Sequence, residues 1–353
     1  MLLTYTRVTG QNHSKHPALE NNYKMWVTVM SVMAFVVSVF TVIAAFGFIY
    51  RQRAKFTTSM ASMKNKTVII TGSSAGIGKE AAWDLALRGA RVILACRNLK
   101  KAADVADFIK STTGNKEVLV RHLDTSSQAS VRMFADKILA EEHRIDVLVL
   151  NAGIGGMSKR TLTTDGLEIT MATNHFGHFL LANRLLGLLK ESSPSRVIVT
   201  SSMAHSYIKT LDPRELNYEN GKYWQMHAYG QSKACNILFA HHLADILKGT
   251  GVVVNALCPG LVATEIFKKS DGFIIGKLYR FLVPIMGKTT QQGAQTIVHL
   301  AVSKEDAAIT GKFFENCEVS DNISTLVCDA GLAKKVWEAS EAYVDLKPEE
   351  TFY

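Results

Sequence analysis

Residues 68–86, "VIITGSSAGIGKEAAWDLA", run from a β-branched strand through a glycine-rich turn into a segment of helical period. Gly72, Gly76 and Gly78 fall at the turn. Without side chains there, the backbone can close on a pyrophosphate, and the opening helix offers it free N–H groups and the positive end of its dipole. A glycine trio could equally be a plain joint between strand and helix. Here it opens the first strand–helix unit of the folded region, the context a dinucleotide site requires. Ser73, Ser74 and Ile77 of the same turn are expected beside the glycines.

Outward from this unit, short apolar runs alternate with longer segments of helical period: "TVII", "RVILA", "EVLVRHLD", "DVLVLNA", "RVIVTSS" and "VVVNALC". Apolar strands separated by helices predict an α/β fold, a doubly wound parallel sheet of Rossmann type covered on both faces. No internal repeat or low-complexity tract interrupts it, and the whole chain holds only six prolines. One domain spanning residues 66–340 is expected, with a C-terminal tail over 341–353.

Ahead of the domain stands "MWVTVMSVMAFVVSVFTVIAAFGFIY", residues 25–50, an uncharged run long enough to cross a hydrocarbon core of about 30 Å as a helix. It follows a polar tail over 1–24 and exceeds the usual apolar stretch of a cleaved secretory signal, which favours an uncleaved transmembrane anchor. A basic linker, residues 51–65, begins "RQRAKF". Its charges put the C-terminal bulk on the cytoplasmic side, with Trp26 and Tyr50 suited to the two interfaces. Of the formal charge of +9, residues 1–55 supply +5, from six Lys or Arg less Glu20. The remaining domain is nearly balanced, and no basic stripe interleaved with aromatics marks a nucleic-acid partner. An anionic membrane surface suits the basic front. Cys96, Cys235, Cys258, Cys317 and Cys328 form an odd set without C-x-x-C or His-rich spacing, read as reduced core thiols and not as a disulfide framework or metal site. Of the Asn-x-Ser/Thr patterns at Asn12, Asn65 and Asn322, only Asn12 would face a lumen.

The second strand ends "VILACRN", where a carboxylate would select NAD by bonding the ribose. Cys96 and Arg97 stand there instead, followed by Asn98, and the guanidinium fork of Arg97 suits a 2′-phosphate; a solvent-facing Arg at a strand end is the plainer alternative. Asp124 after the third strand could hold the adenine amino group or serve as a helix N-cap. Asn151, Ala152 and Gly153 close the fourth strand with small residues beside the cofactor. The fifth ends at Ser201 and Ser202, on the sheet edge where ligands of open α/β sheets bind. Tyr229 and Lys233 follow one helical turn apart, a spacing common on solvated helices. Hydride transfer at a carbinol carbon needs a group that gives or takes the oxygen's proton, and a phenol with pKa about 10 is a weak base near neutrality. A nearby ammonium favours the phenolate, Lys233 has further donors for ribose hydroxyls, and Ser202 would orient the substrate oxygen.

In order, "TGSSAGIG", "NAG", Asn174 in "MATNHFGHF", Ser202, "YGQSK" and Pro259–Gly260 resemble the short-chain dehydrogenase/reductase family. That resemblance implies Ser202, Tyr229 and Lys233 as the catalytic set. It also makes Asn174, otherwise an ordinary polar helix position, the organiser of a proton relay, and adds Pro259, Gly260 and Thr264 to the cofactor contacts. Ser202 is preferred over Ser201 by the family's pattern. The insert "YIKTLDPRELNYENGKYWQMH", with "GKTTQQGAQT", "GKFFENC" and "LAKKVWEAS", is similar to the retinol dehydrogenase subgroup, membrane-bound retinal reductases preferring NADP. Leu150, Ala234 and Cys235 depart from its usual residues without touching the chemistry. Phe273, Ile274, Ile275 and Leu278, in the expected lid, suit an apolar substrate, a bilayer surface or simply a core. The resemblance thus implies a single-pass enzyme of the endoplasmic reticulum membrane, its domain cytoplasmic. It would interconvert retinol and retinal with NADP(H), as a monomer or oligomer. A steroid, fatty aldehyde or other isoprenoid is the alternative substrate, and a non-catalytic dinucleotide-binding scaffold the alternative role.

Overall fold

The computed structural model describes residues 17–263, 266 and 281–353, with side chains from residue 20 onward. Thr264 and the four apolar positions Phe273, Ile274, Ile275 and Leu278 lie outside the described residues, as do Asn12 and the first part of the polar tail.

Eight strands form one sheet in the order β3-β2-β1-β4-β5-β6-β7-β8. In chain order they are β1 (Thr67–Thr71), β2 (Arg91–Cys96), β3 (Val118–His122), β4 (Val147–Leu150), β5 (Ser195–Thr200), β6 (Val252–Cys258), β7 (Phe313–Glu315) and β8 (Glu318–Val319). Every pairing is parallel except β7 with β8, which is antiparallel. The six expected strands are all present. The two further strands are only three and two residues long, too short for a periodic signal.

Alternation along the strands feeds two cores. Ile69, Ile93, Leu148, Val197 and Val254 point to one face, which is covered by α4 (Gln128–Glu141), α6 (Gly177–Glu191) and α7 (Gln225–Ile246). Val68, Ile70, Val92, Leu94, Val149 and Ile198 point to the other, under α2 (Gly76–Leu87), α3 (Leu99–Thr113) and α8 (Thr290–Val302). A short α5 (Ile169–Met171) leads into α6 through a π-helical turn, Ala172–Phe176. Helix α9 (Ala330–Tyr343) lays Val336 and Trp337 into the first core, Trp337 meeting Phe179 edge-on at 4.8 Å.

Both flanks of the domain are tied in more closely than their composition suggests. Helix α9 crosses the boundary placed at 340, and beyond it Val344 and Glu350 are buried. Arg132 grips both carboxylate oxygens of Glu350 at 2.8 and 3.0 Å, so residues 341–353 belong to the packed body and are no loose tail. Residues 54–63, outside helix and strand, run along α8: Thr57 N–H donates to Gln295 Oε1, Ser59 Oγ donates to the Val302 carbonyl, and Met63 is buried. The basic linker is therefore fastened to the domain. Four cysteines are buried as expected, while Cys328 is exposed and so is no core thiol.

Helix α1, Pro17–Gln52, is 36 residues long. Within Glu20–Gln52 an 18-residue window reaches a mean hydropathy of 2.6, and large apolar side chains there, Phe35 and Val42 among them, are exposed. It is one apolar helix long enough to cross a bilayer, with turns to spare.

Candidate active site

A cavity of about 750 Å³ opens at the C-terminal ends of β1, β2, β4, β5 and β6. One wall is the glycine turn. Gly72 (φ +69°) and Gly76 (φ +57°) take left-handed backbone that side chains disfavour. A Cβ on Gly72 would stand 2.7 Å from the Ala152 Cα, and one on Gly78 would stand 2.6 Å from the Asn151 amide nitrogen. The turn is pressed against the end of β4, and only glycine permits it. Ala75, at the N-cap of α2, supplies no side-chain cap, so the first N–H groups of that helix are left for a ligand beside the cavity. The Asn151 amide donates to the Thr71 carbonyl at 2.9 Å, while its buried Oδ1 has no partner among the described residues. An uncapped helix end, a backbone cradle and an orphaned acceptor fit the pyrophosphate and amide groups of a nicotinamide dinucleotide.

Ser74, Gly76, Ile77, Gly78, Asn151, Ala152 and Gly153 all line this wall. Ser73 does not bring its hydroxyl there, because Oγ turns inward to the Ile70 carbonyl at 2.9 Å.

At the far end of the cavity lie Arg97, Asn98 and Asp124. The half-exposed Arg97 guanidinium is 3.5 Å from Asp124 Oδ2. Burial pushes the Asp124 carboxyl up, but hydrogen bonds from Ser126 and the Arg97 charge outweigh it and hold the group below its usual range. Asp124 is not the N-cap of α4. That place belongs to Ser127, while Asp124 Oδ1 accepts from Ser126 within a turn. Asn98 caps α3 by accepting from Lys101 N–H, and Lys101 itself lines the cavity. Lys101 adds a second cation to this end, and its place four residues after Arg97 is its one signal in the sequence.

Ser202, Tyr229 and Lys233 line the opposite wall. Ser201 also borders it, but its hydroxyl donates to the Lys233 carbonyl at 2.7 Å and is committed to helix α7. Ser202 Oγ makes one long contact, accepting from Ala204 N–H at 3.2 Å, and stays available to a ligand. The Lys233 ammonium donates to the Thr200 carbonyl at 3.1 Å and lies 5.8 Å from the Tyr229 ring centroid. Burial lowers its pKa from 10.5 to about 8.

Behind that wall Asn174 is fully buried in the π-turn. Its Oδ1 accepts from Ile154 N–H at 2.8 Å, and its amide donates to the Ile154 carbonyl and to Ser232 Oγ. The bond to Ser232 ties the π-turn to α7, within which Ser232 Oγ donates to the Tyr229 carbonyl at 2.8 Å. His178, one turn on, contacts the Asn174 carbonyl through Nδ1 at 3.1 Å and Thr71 Oγ1 through Nε2 at 2.9 Å. Burial, helped by the Lys233 charge, lowers its pKa to about 3, so the ring is neutral. Thr71 Oγ1 already accepts from the N–H groups of Asn151 and Ala152. The Asn174 carbonyl can only accept, so Nδ1 of the neutral ring carries the proton and donates to it, and Nε2 accepts from Thr71 Oγ1, whose other acceptor, the Val149 carbonyl, is more distant at 3.4 Å. Thr71, His178 and Ser232 carry no motif in the sequence; the i, i+4 spacing of Asn174 and His178 is their available signal.

A glycine cradle under an uncapped helix, facing a serine, a tyrosine and a buried lysine across one cavity, defines an oxidoreductase that takes a nicotinamide dinucleotide. The profile of the short chain dehydrogenase family matches residues 66–213 and 216–272, and the chain belongs to that family. It is an NAD(P)-dependent enzyme acting on CH–OH donors. Mouse Retinol dehydrogenase 12 is 41% identical over 283 residues, covering 80% of this chain and 87% of its own length. Human Retinol dehydrogenase 11 is 42% identical over 285 residues, with 80% and 87% covered. Among solved structures, an Escherichia coli short chain dehydrogenase complexed with NADPH matches with a TM-score of 0.57 and 25% identity, over 73% of this chain and 99% of that one.

Proposed function

We propose that this protein is a membrane-anchored, NADP(H)-dependent oxidoreductase that interconverts an apolar alcohol and its carbonyl, retinol and retinal foremost. The observation that carries the proposal is the convergence of Ser202, Tyr229 and Lys233 on a cavity whose remaining mouth is apolar, with Met203, Tyr207, Met226, Leu261 and Ile266 around it. A polyene or similar hydrocarbon body would lie against those side chains, and only its oxygen would meet polar groups. The names of the curated relatives support the retinoid as first choice.

Arg97, with Lys101 nearby and no carboxylate at the end of β2, supports the 2′-phosphorylated dinucleotide. So does the NADPH held by the E. coli relative. Gly72, Ser74, Gly76, Ile77 and Gly78 would hold the pyrophosphate, with the backbone of Ser73 completing the turn. Asn98 and Asp124 would hold the adenosine, and Asn151, Ala152, Gly153, Pro259, Gly260 and Thr264 the nicotinamide half.

The bound dinucleotide supplies or accepts the hydride at the carbinol carbon. In reduction, Tyr229 gives its phenolic proton to the substrate oxygen, and Ser202 Oγ–H holds that oxygen in place. The Lys233 ammonium stabilises the phenolate left behind, more strongly because its surroundings exclude water. Asn174, fixed on both amide atoms, holds the backbone from which a relay can return the proton to Lys233 and Tyr229. Helix α1, with basic residues after it, would anchor the enzyme in the endoplasmic reticulum membrane with the domain in the cytoplasm. Assay of the purified, detergent-solubilised chain with NADPH should show turnover of retinal above that of steroid ketones. Steroid turnover with retinal inert would reassign the substrate.

A further inference from the structure

The end of the apolar helix does not stop at the domain surface. Gly47 packs so closely on the segment before α8 that a Cβ there would stand 2.1 Å from the Ile285 carbonyl oxygen. One turn later the Tyr50 hydroxyl accepts a hydrogen bond from Leu261 N–H at 2.9 Å. It also sits where any side chain on Gly260 would go, 2.5 Å from that Cβ position. The Arg51 guanidinium then donates to the carbonyls of Ile285 at 2.8 Å and Gly287 at 3.1 Å, and the Arg51 carbonyl accepts from Gln292 at 3.1 Å. Lys288, 5.6 Å from the Tyr50 ring centroid, reaches the Pro259 carbonyl and Asn316.

These contacts meet at one place in the chain. Lys288 N–H donates to the Leu261 carbonyl, and Ala263 N–H to the Lys288 carbonyl, so a bridge of Val262 with Lys288 closes the neck of the excursion between them. Gly260, Leu261, Val262 and Ile266, at or just beyond that neck, line the catalytic cavity. Tyr50 grips the backbone just before the bridge, at Leu261, and Arg51 grips the end of the short helix that leads into it, at Ile285 and Gly287.

We infer that the last turn of α1, through Tyr50 and Arg51, is a positioning element of the active site: it clamps the neck that sets the substrate side of the cavity. The membrane helix is then part of the catalytic unit and not only its tether. Because Gly47 and Tyr50 belong to the apolar stretch itself, the clamp sets Leu261 and Ile285 beside the end of the membrane-spanning run, where an apolar substrate would be concentrated. This rests on the oxidoreductase site described above, and it is independent of which carbonyl is reduced.

Full-length protein in detergent carrying Tyr50→Phe, Gly47→Leu or the control Val42→Leu, whose site is exposed on the helix, tests the clamp. The prediction for Tyr50→Phe and Gly47→Leu is faster amide hydrogen exchange confined to residues 259–263 and 285–288. The carbonyl KM should rise about fivefold or more with kcat changed less than about twofold and an unchanged unfolding midpoint; Val42→Leu should match the parent. Exchange and KM equal to the parent in both variants would overturn the inference, as would acceleration spread evenly over the sheet. If no apolar carbonyl is turned over by the parent, the proposed substrate fails, and the exchange pattern still decides the clamp.

Discussion

The glycine turn at Gly72–Gly78 and the neck at Pro259–Lys288 face the same cavity, but they are built in opposite ways. The turn is built inside the sheet: its shape follows from missing side chains and from contact with Ala152 and Asn151 at the end of the paired strand. The neck borrows its geometry from far away in sequence, from Tyr50, Arg51 and Asn316. A locally built wall breaks all at once when its own residue changes, whereas a borrowed wall loosens by degrees.

The two walls can be pulled apart experimentally. The largest effect is expected where neither wall is touched: Tyr229→Phe should lower kcat by about 10³-fold or more, while fluorescence titration still detects NADPH binding. Next, Gly72→Val drives a side chain into backbone 2.7 Å away at a φ of +69°, and should weaken dinucleotide binding by about 100-fold or abolish it. Binding within a few fold of the parent would show that the cradle is softer than its contacts imply. At the adenosine end, Arg97→Ala should weaken NADPH by about 10- to 100-fold and leave NADH nearly unchanged. Equal weakening would make Arg97 a surface partner of Asp124 and nothing more.

The smallest effect is on stability and reads Lys233 alone. Its folded pKa, about 8, lies below the ordinary 10.5. Between those values the unfolded chain binds the proton that the folded one releases, so this group makes stability rise with pH from about 8 to 10.5. Below about 8 both states are protonated and the full cost of the buried charge is present. Lys233→Met should therefore flatten that rise in urea midpoints measured against pH; a rise that persists would assign it to another group.

The same contrast explains what could be read from the chain. The turn and the six longer strands rest on local patterns, a strand-end glycine cluster and continuous apolar runs, whereas Ser202, Tyr229 and Lys233 were legible through the order of motifs along the chain. Two strands of three and two residues have no period to detect, and β7 is recognised only because it completes β6 from Ala256 to Cys258. Ser73 and Ser74 are indistinguishable as letters, and the hydrogen bond of one to Ile70 separates them. Cys328 looks like the other cysteines, yet only packing tells buried from exposed. Tyr50 read as an interfacial aromatic, because nothing in its neighbourhood announces a partner 211 positions on. His178 carries its meaning through Thr71, which is 107 positions away and on another element.

The π-turn at Ala172–Phe176 has one further implication, for insertion and deletion. A π-turn holds one residue more than the helix around it needs, and that surplus sets Asn174 and His178 at their angle to Thr71 and Ile154. A chain shortened by one residue here would relax to an unbroken α-helix, and its rungs after the cut would keep their places against the core. The angle of Asn174 and His178 to Ile154 and Thr71 would be lost with the surplus residue, so here the length of the chain, as much as its composition, fixes which side chains meet.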